Sequence, residues 1–400
     1  MVGRAPLEVP WGDILFASNA FRTAPLGMRE TTLDTSIQQQ HPESKAGRKS
    51  PYRFLLFLPT LLLAVVFLQP QARIRQMDVA QYFAVGHIVR DGKIAALYDH
   101  ESYREFVALA ARGGKVGALY YNRPAFYALA TLPFAYMSYE TFLLVVRIGS
   151  YALFAAALWL IPRWFPDVTH SRALLLAFQP FLWTVAMGQD TILLALIMGL
   201  GAHLLLNRGK IFLGGAIMAL AVFKPHIVWA IPLALAAQRR WRALAAFMAV
   251  GIFLALLSFT LIGTSGVEQW MAVLKAPTTD INSQDMGNIR EVAARFGLLA
   301  AISFAAITLA AFVGCLRRSL PVALAAALFV GPMLVPHSYL QDYSPVAVSA
   351  LIAPGPMSYA VLIPWQLFVP GRASGIPYAI TGTAFMLVMA VWPPIDKRRK

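Results

Sequence analysis

The 400-residue chain is 58% hydrophobic and 13% charged, with a formal net charge of +15 and a mean hydropathy of +0.60. Soluble domains average about 45–50% apolar and about 25% charged residues, so hydrocarbon must solvate much of this surface, and an ordinary soluble domain is excluded. The excess Lys and Arg is scattered over short loops, which excludes a nucleic-acid face, and the single Cys315 excludes an intramolecular disulfide or a Cys-based metal site.

Residues 1–50 are polar and mixed and end in "SKAGRKSPYR"; they read as a disordered cytoplasmic tail. The first apolar run starts near Phe54, too deep for a secretory signal peptide, so the first helix is expected to remain uncleaved. Candidate spans are Phe54–Leu68, Tyr139–Ile161, Ala173–Met187, Thr191–Leu206, Ile211–Phe223, Ile227–Ala237, Ala243–Ile262, Val292–Leu316, Leu320–Val335, Tyr343–Ala353, Met357–Val369 and Pro377–Trp392. Several fall short of the roughly 20 residues needed to cross a bilayer. Short or Pro-broken helices are tolerated where they face protein or a water-filled cavity. The expectation is an all-α polytopic membrane protein with about twelve transmembrane helices over residues 51–392, and a basic cytoplasmic tail at 393–400.

The short basic stretches "KAGRKSPYR", "PRWFPDVTHSR", "NRGK", "QRRWR", "RRS" and "DKRRK" set the orientation, placing themselves and both termini in the cytoplasm. That holds if 125–137, apolar but interrupted by Pro133, lies at the outer interface instead of crossing. Residues 70–138 then form a first periplasmic loop with interfacial helices. The other polar clusters fall on the same outer side: "GQD" at 188–190, "KPH" at 224–226, a loop at 263–291 and "PHSYLQDY" at 336–343.

Each cluster has a chemical and a structural reading. Asp78 either holds a carboxylate above the bilayer to accept a proton from a sugar hydroxyl, or caps an amphipathic interfacial helix over "VAQYFAVGHIV". "DG" at 91–92 marks a turn, and Asp99, His100 and Glu101 read as a solvated helix start more readily than as metal ligands, because adjacent side chains rarely converge on one ion. Arg123 can snorkel to lipid phosphate or bind a substrate phosphate. Arg147, inside an apolar span, either reaches a cavity or snorkels. Gln189 and Asp190 lie between two spans, and Lys224 and His226 flank Pro225 at a break; charge at such breaks points to a site. His337, Tyr339 and Asp342 form either part of that site or a structural turn. No P-loop, dinucleotide fingerprint or HExxH is present.

These motifs together, Asp78 followed by "YFAVGHIVRDGKIAALYD", then "NRPAFYALATLPFA", "GQD", "KPHIVWAIPLALAAQRRWRA" and "PHSYLQDY", resemble glycosyltransferase family 87 over about residues 54–350. Family members often carry a double proline where this chain has Asn122-Arg123-Pro124. The resemblance implies a GT-C fold with an outward-facing active site, a polyprenyl-phosphate sugar as donor and Asp78 as the base. A lipid or glycan would be the acceptor and mannose the leading sugar. The leaving phosphate would need cations, for which Arg123, Arg147, Lys224 and His226 are candidates. Gln189, Asp190, His337, Tyr339 and Asp342 complete the expected substrate-binding set. No metal or other cofactor is expected, because the leaving group is a lipid phosphate. A transporter or flippase for a lipid-linked sugar is the competing class, since broken helices with buried charge suit both.

Overall fold

The computed structural model describes residues 79–99, 101, 103, 105, 121–168, 171–275, 286–353, 358–363, 365 and 375–391. The chain divides into two units, Met1–Ser50 and Pro51–Lys400, and every described residue belongs to the second. Asp78, His100 and the expected span Phe54–Leu68 lie outside the described residues.

All regular elements among the described residues are helical. Their order begins with α1 (Val79–Arg90), a 3-10 turn (Ile94–Ala96), and α2 (Ala125–Ala128), which runs on as a 3-10 helix (Leu129–Tyr136). Then come α3 (Tyr139–Trp164), α4 (Ser171–Ala177), α5 (Gln179–Met187), α6 (Thr191–Leu206), and α7 (Ile211–Ala219) with its 3-10 end (Leu220–Phe223). Next are α8 (Pro225–Val228), α9 (Ile231–Ala237), α10 (Trp241–Lys275), α11 (Ile289–Phe296), α12 (Leu298–Leu316) and α13 (Leu320–Met333). A 3-10 turn (Leu340–Tyr343), α14 (Val346–Ile352), α15 (Ser358–Leu362) and α16 (Ile376–Val391) are the last of the described elements.

Three of these helices are long and apolar enough to cross a membrane: α3, α10 and α12. They carry exposed Leu144, Ile148, Phe253, Leu256, Leu299 and Ile302 on their outer surfaces. In water such a belt would be an association surface; here it faces hydrocarbon. Of the shorter helices, α6 has no exposed residue and α13 is buried from Ala323 to Met333, whereas α7 and α9 also expose Phe212, Leu213 and Leu233. Close approach between helices uses small residues. A Cβ on Gly214 would lie 2.8 Å from the Gly201 carbonyl oxygen, and one on Gly215 would lie 2.1 Å from that of Ala243, which is how helices without a water-driven incentive to pack gain contact.

The structure revises four expected segments. The run 173–187 is two helices, because Pro180 starts a new one after Phe178 adopts an extended conformation. The run 292–316 is also two, divided at Gly297, whose φ of +85° suits glycine. Residues 263–275, expected as loop, continue α10 past a kink at Gly263 (φ 65°, ψ −170°). Val267, Trp270 and Val273 then recur at helical spacing and pack on the cluster containing Leu97, Tyr98 and Tyr121. Finally, α1 is not amphipathic. Residues 79–86 and Ile88 are all buried, because the segment 125–136 covers one side of it and α3 another. Gly86 permits the first contact, with the Thr131 carbonyl 2.6 Å from where its Cβ would stand.

Among the described residues, the tightest glycine contact joins α8 and α13. A Cβ on Gly331 in α13 would meet the Ile227 carbonyl oxygen of α8 at 1.8 Å. Gly331→Ala should therefore force α8 and α13 apart at a cost of about 1–3 kcal/mol, read as a lower thermal midpoint in detergent. Gly251→Ala, at an open position of α10, should leave the midpoint unchanged or raise it; equal behaviour of the two variants would refute the contact.

Candidate active site

Four helix breaks place four charges together. Gly188, left-handed at φ 66°, ends α5 and turns the chain so that Gln189 and Asp190 precede α6. A Cβ at Gly188 would stand 2.5 Å from Val79, so the first described residue of α1 packs against this turn. Asp190 occupies the N-cap position of α6, yet its carboxylate makes no capping bond. It is held by Arg123 instead: Nη2 donates to Oδ1 at 2.9 Å and Nη1 lies 2.6 Å from Oδ2. Tyr127 donates to Oδ2 at 2.5 Å. A strong local capping preference has given way to a tertiary ion pair.

Lys224 sits where the 3-10 end of α7 meets Pro225, which opens α8; its φ of −124° and ψ of 70° are the non-helical geometry expected before proline. Its Nζ donates to Asp342 Oδ1 at 2.6 Å and lies 4.0 Å from Asp190 Oδ1. Asp342 uses its other oxygen to accept from the Tyr339 backbone N–H at 3.0 Å, capping its own turn. The result is a ladder, Arg123–Asp190–Lys224–Asp342, with each residue between 3% and 9% exposed.

Neighbouring groups fix the ladder. Arg123 Nη2 also donates to Tyr82 at 2.8 Å and Gln189 Oε1 at 3.3 Å. Its guanidinium lies over the rings of Tyr82, Tyr127 and Phe223 at 5.4, 5.2 and 5.7 Å from their centroids. Behind it, Tyr98 donates to the Arg123 carbonyl at 2.6 Å and Trp270 Nε1 to that of Asn122 at 3.4 Å. Hydroxyls of Thr184, Thr191 and Ser344 bond to one another, Thr184 to Thr191 at 2.6 Å and to Ser344 at 3.1 Å, and so fasten the Asp190 turn to the Asp342 turn. The turn before α13's successor is held from α11: Asn288 donates to the Ser338 carbonyl at 3.2 Å, and Tyr343 donates to that of Gly287. Glu291, fully buried, accepts from the Gly287 N–H and pairs with Arg295 at 2.8 Å.

Among the expected residues, Arg123, Gln189, Asp190, Lys224 and Asp342 thus converge. His226 and His337 stand beside them, both half-buried, with the His337 ring edge-on to Tyr339 at 5.2 Å. Arg147 does not join; it is half-buried on α3 among exposed Leu144, Val145 and Ile148. Asp91 pairs with Arg90 at 2.9 Å away from the ladder, and Glu101 is exposed. Asp78 lies outside the described residues. Tyr82, Tyr127, Asn288 and Glu291 were not singled out from the sequence. Tyr82 and Tyr127 sit in apolar periodic runs and look like core; Asn288 before an I-R-E helix start carried the one usable signal, a capping pattern. Among the described residues, no three His, Cys, Asp or Glu side chains converge as a cation site.

A family model for glycosyltransferase family 87 matches residues 121–336, more than half of the chain. The chain belongs to glycosyltransferase family 87. This makes the protein a membrane glycosyltransferase, and the family 87 match contains Arg123, Gln189, Asp190, Lys224 and His226. No curated protein and no solved structure matches this family 87 chain.

The two carboxyls lie in turns outside the long spans. Burial alone would raise Asp190, but Arg123 and then Lys224 hold it below the ordinary carboxylate range. Burial is likewise overcome at Asp342, by Lys224 first of all. Groups with lowered native values stabilise the fold fully above the ordinary range of about 4, and that stability is lost as pH falls. Thermal midpoints should therefore be flat from about pH 7 to 5 and fall below about pH 4. Asp190→Ala, which strands Arg123, should cost about 3–5 kcal/mol, whereas the double variant R123M/D190L should cost less and flatten the acid decline. A double variant no more stable than Asp190→Ala would refute the pairing.

Proposed function

We propose that this family 87 chain transfers a single sugar, mannose first among the candidates, from a polyprenyl-phosphate donor to a lipid or glycan acceptor at the periplasmic face of the cell inner membrane. Both termini and the basic loops are then cytoplasmic. The observation that carries the proposal is the buried ladder of Arg123, Asp190, Lys224 and Asp342, assembled from four chain segments at helix breaks.

The chemistry asks for three things, and the residues match them in kind. A polyprenyl phosphate stays in the bilayer with its phosphate at the interface, so the protein must offer cations beside an apolar wall. Arg123 and Lys224 are the cations, and the exposed apolar helices are the wall. The acceptor hydroxyl needs a base as its oxygen attacks the anomeric carbon and the phosphate leaves. Asp78 is proposed for that role. Its support is the sequence pattern and the placement of its neighbour: Val79 packs on Gly188, the residue before Gln189 and Asp190. Attack opposite the leaving phosphate by a single base gives inversion at the anomeric carbon. Tyr82 and Gln189 accept from the Arg123 guanidinium and Tyr127 donates to Asp190, which holds the pair together, while His226, His337 and Tyr339 stand nearest Lys224 and Asp342.

The experiment is a transfer assay in detergent with a panel of polyprenyl-phosphate sugars and total lipid extract as acceptor, read by mass spectrometry. A glycosylated lipid product without any sealed membrane is expected, and it separates transfer from flipping. Asp78→Asn should lower turnover by at least about 100-fold with an unchanged thermal midpoint. Near-normal turnover in that variant would remove Asp78 from the base role.

A further inference from the structure

The proposed donor brings an anionic phosphate to Arg123 and Lys224, yet both cations are already matched. Two positive charges, Arg123 and Lys224, face two negative ones, Asp190 and Asp342, so the ladder is neutral as it stands. A phosphodiester anion entering it would leave one uncompensated negative charge in a buried setting, which is strongly unfavourable. Something must bring in a positive charge.

His226 stands where that charge is needed. It lies two residues beyond Lys224, across Pro225, and its Nε2 is buried without a hydrogen-bond partner. The charged and titratable groups facing it are Asp342, Lys224, His337 and Arg123. The elements packed on α8, namely α13 and the 3-10 end of α7, contribute none of their own. His337 also faces Asp342 and Lys224, with Arg290 of α11 beside it, but of the two rings it is His226 that carries a buried nitrogen left without a hydrogen-bond partner.

We infer that phosphate binding at the ladder is proton-linked, with His226 taking up one proton from solvent as the phosphodiester enters. The imidazolium pairs with Asp342, and Lys224 turns from Asp342 to a phosphate oxygen. The sum stays at zero: Arg123, Lys224 and protonated His226 against Asp190, Asp342 and the phosphate. No covalent bond changes in this step. The inference rests on the reading of the ladder as a phosphate site and adds its charge rule. It assigns His226 a role that a merely structural histidine at a helix start would not have.

Calorimetric titration of the full chain in detergent tests it, using farnesyl methyl phosphate as the probe, because a phosphodiester has no ionisation of its own near neutrality. Titrations at about pH 7.5 in two buffers of different ionisation enthalpy should differ in heat by an amount that corresponds to uptake approaching one proton. His226→Gln should abolish that difference and weaken binding about tenfold, while His337→Gln should retain the difference. Binding with equal heats in both buffers would overturn the inference and leave the phosphate site standing. Absence of binding in either buffer would overturn both. The wild-type comparison decides this without any variant, and uptake that survives His226→Gln but not His337→Gln would overturn the assignment to His226.

Discussion

The structure depends on a simple electrostatic constraint: four charges buried in a mostly hydrocarbon-solvated protein must balance among themselves. Arg123 and Lys224 cannot be left without Asp190 and Asp342, because removing either partner strands a charge that is almost wholly buried. The segments that carry them are therefore tied to one another. The turn before α2, the α5–α6 turn, the α7–α8 break and the 3-10 turn after α13 meet at one place because their charges have nowhere else to go.

That constraint explains why so many helices are short. A continuous helix keeps its backbone groups to itself and points its side chains outward. A break exposes backbone and lets a side chain such as Asp190 or Lys224 project into the interior. Such breaks are tolerated at membrane depth only where protein encloses them. The molecule accordingly divides its labour. The long helices α3, α10 and α12 present Leu, Ile and Phe to lipid, and the breaks between shorter helices supply the polar centre. The hydroxyl cluster of Thr184, Thr191 and Ser344 shows how the breaks are held in register without further charge.

The kink at Gly263 extends the same logic to the edge of the site. Beyond it, α10 turns so that Trp270 reaches the Asn122 carbonyl, while Ser258 before it accepts from the Phe126 N–H at 3.1 Å. One helix thus holds the 122–127 segment on both sides of its own bend. Tyr98 adds a bond to the Arg123 carbonyl and stacks on both Tyr121 and Trp270. The backbone of Arg123 is therefore fixed as firmly as its guanidinium, which matters for a group that must meet a phosphate in a defined direction.

Composition and the placement of Lys and Arg determined the class of this protein, because hydrocarbon solvation leaves its mark on every residue. The charged positions at helix breaks were legible for a related reason. Charge beside Gly188 or Pro225 in an apolar run is costly unless the structure encloses it, so Asp190, Lys224 and Asp342 stood out one by one. Their partners did not. Arg123 and Asp190 are separated by 67 residues and Lys224 and Asp342 by 118, and no local pattern says which cation meets which carboxylate. Nor could it show that Asp190 would leave its helix uncapped, that Arg147 would stay among lipid-facing residues, or that Tyr82 and Tyr127 would turn their hydroxyls from a core-like stripe toward the ladder. Those outcomes belong to packing, where a side chain's partner is whichever group the folded chain brings within about 3 Å, and only the tertiary structure brings them there.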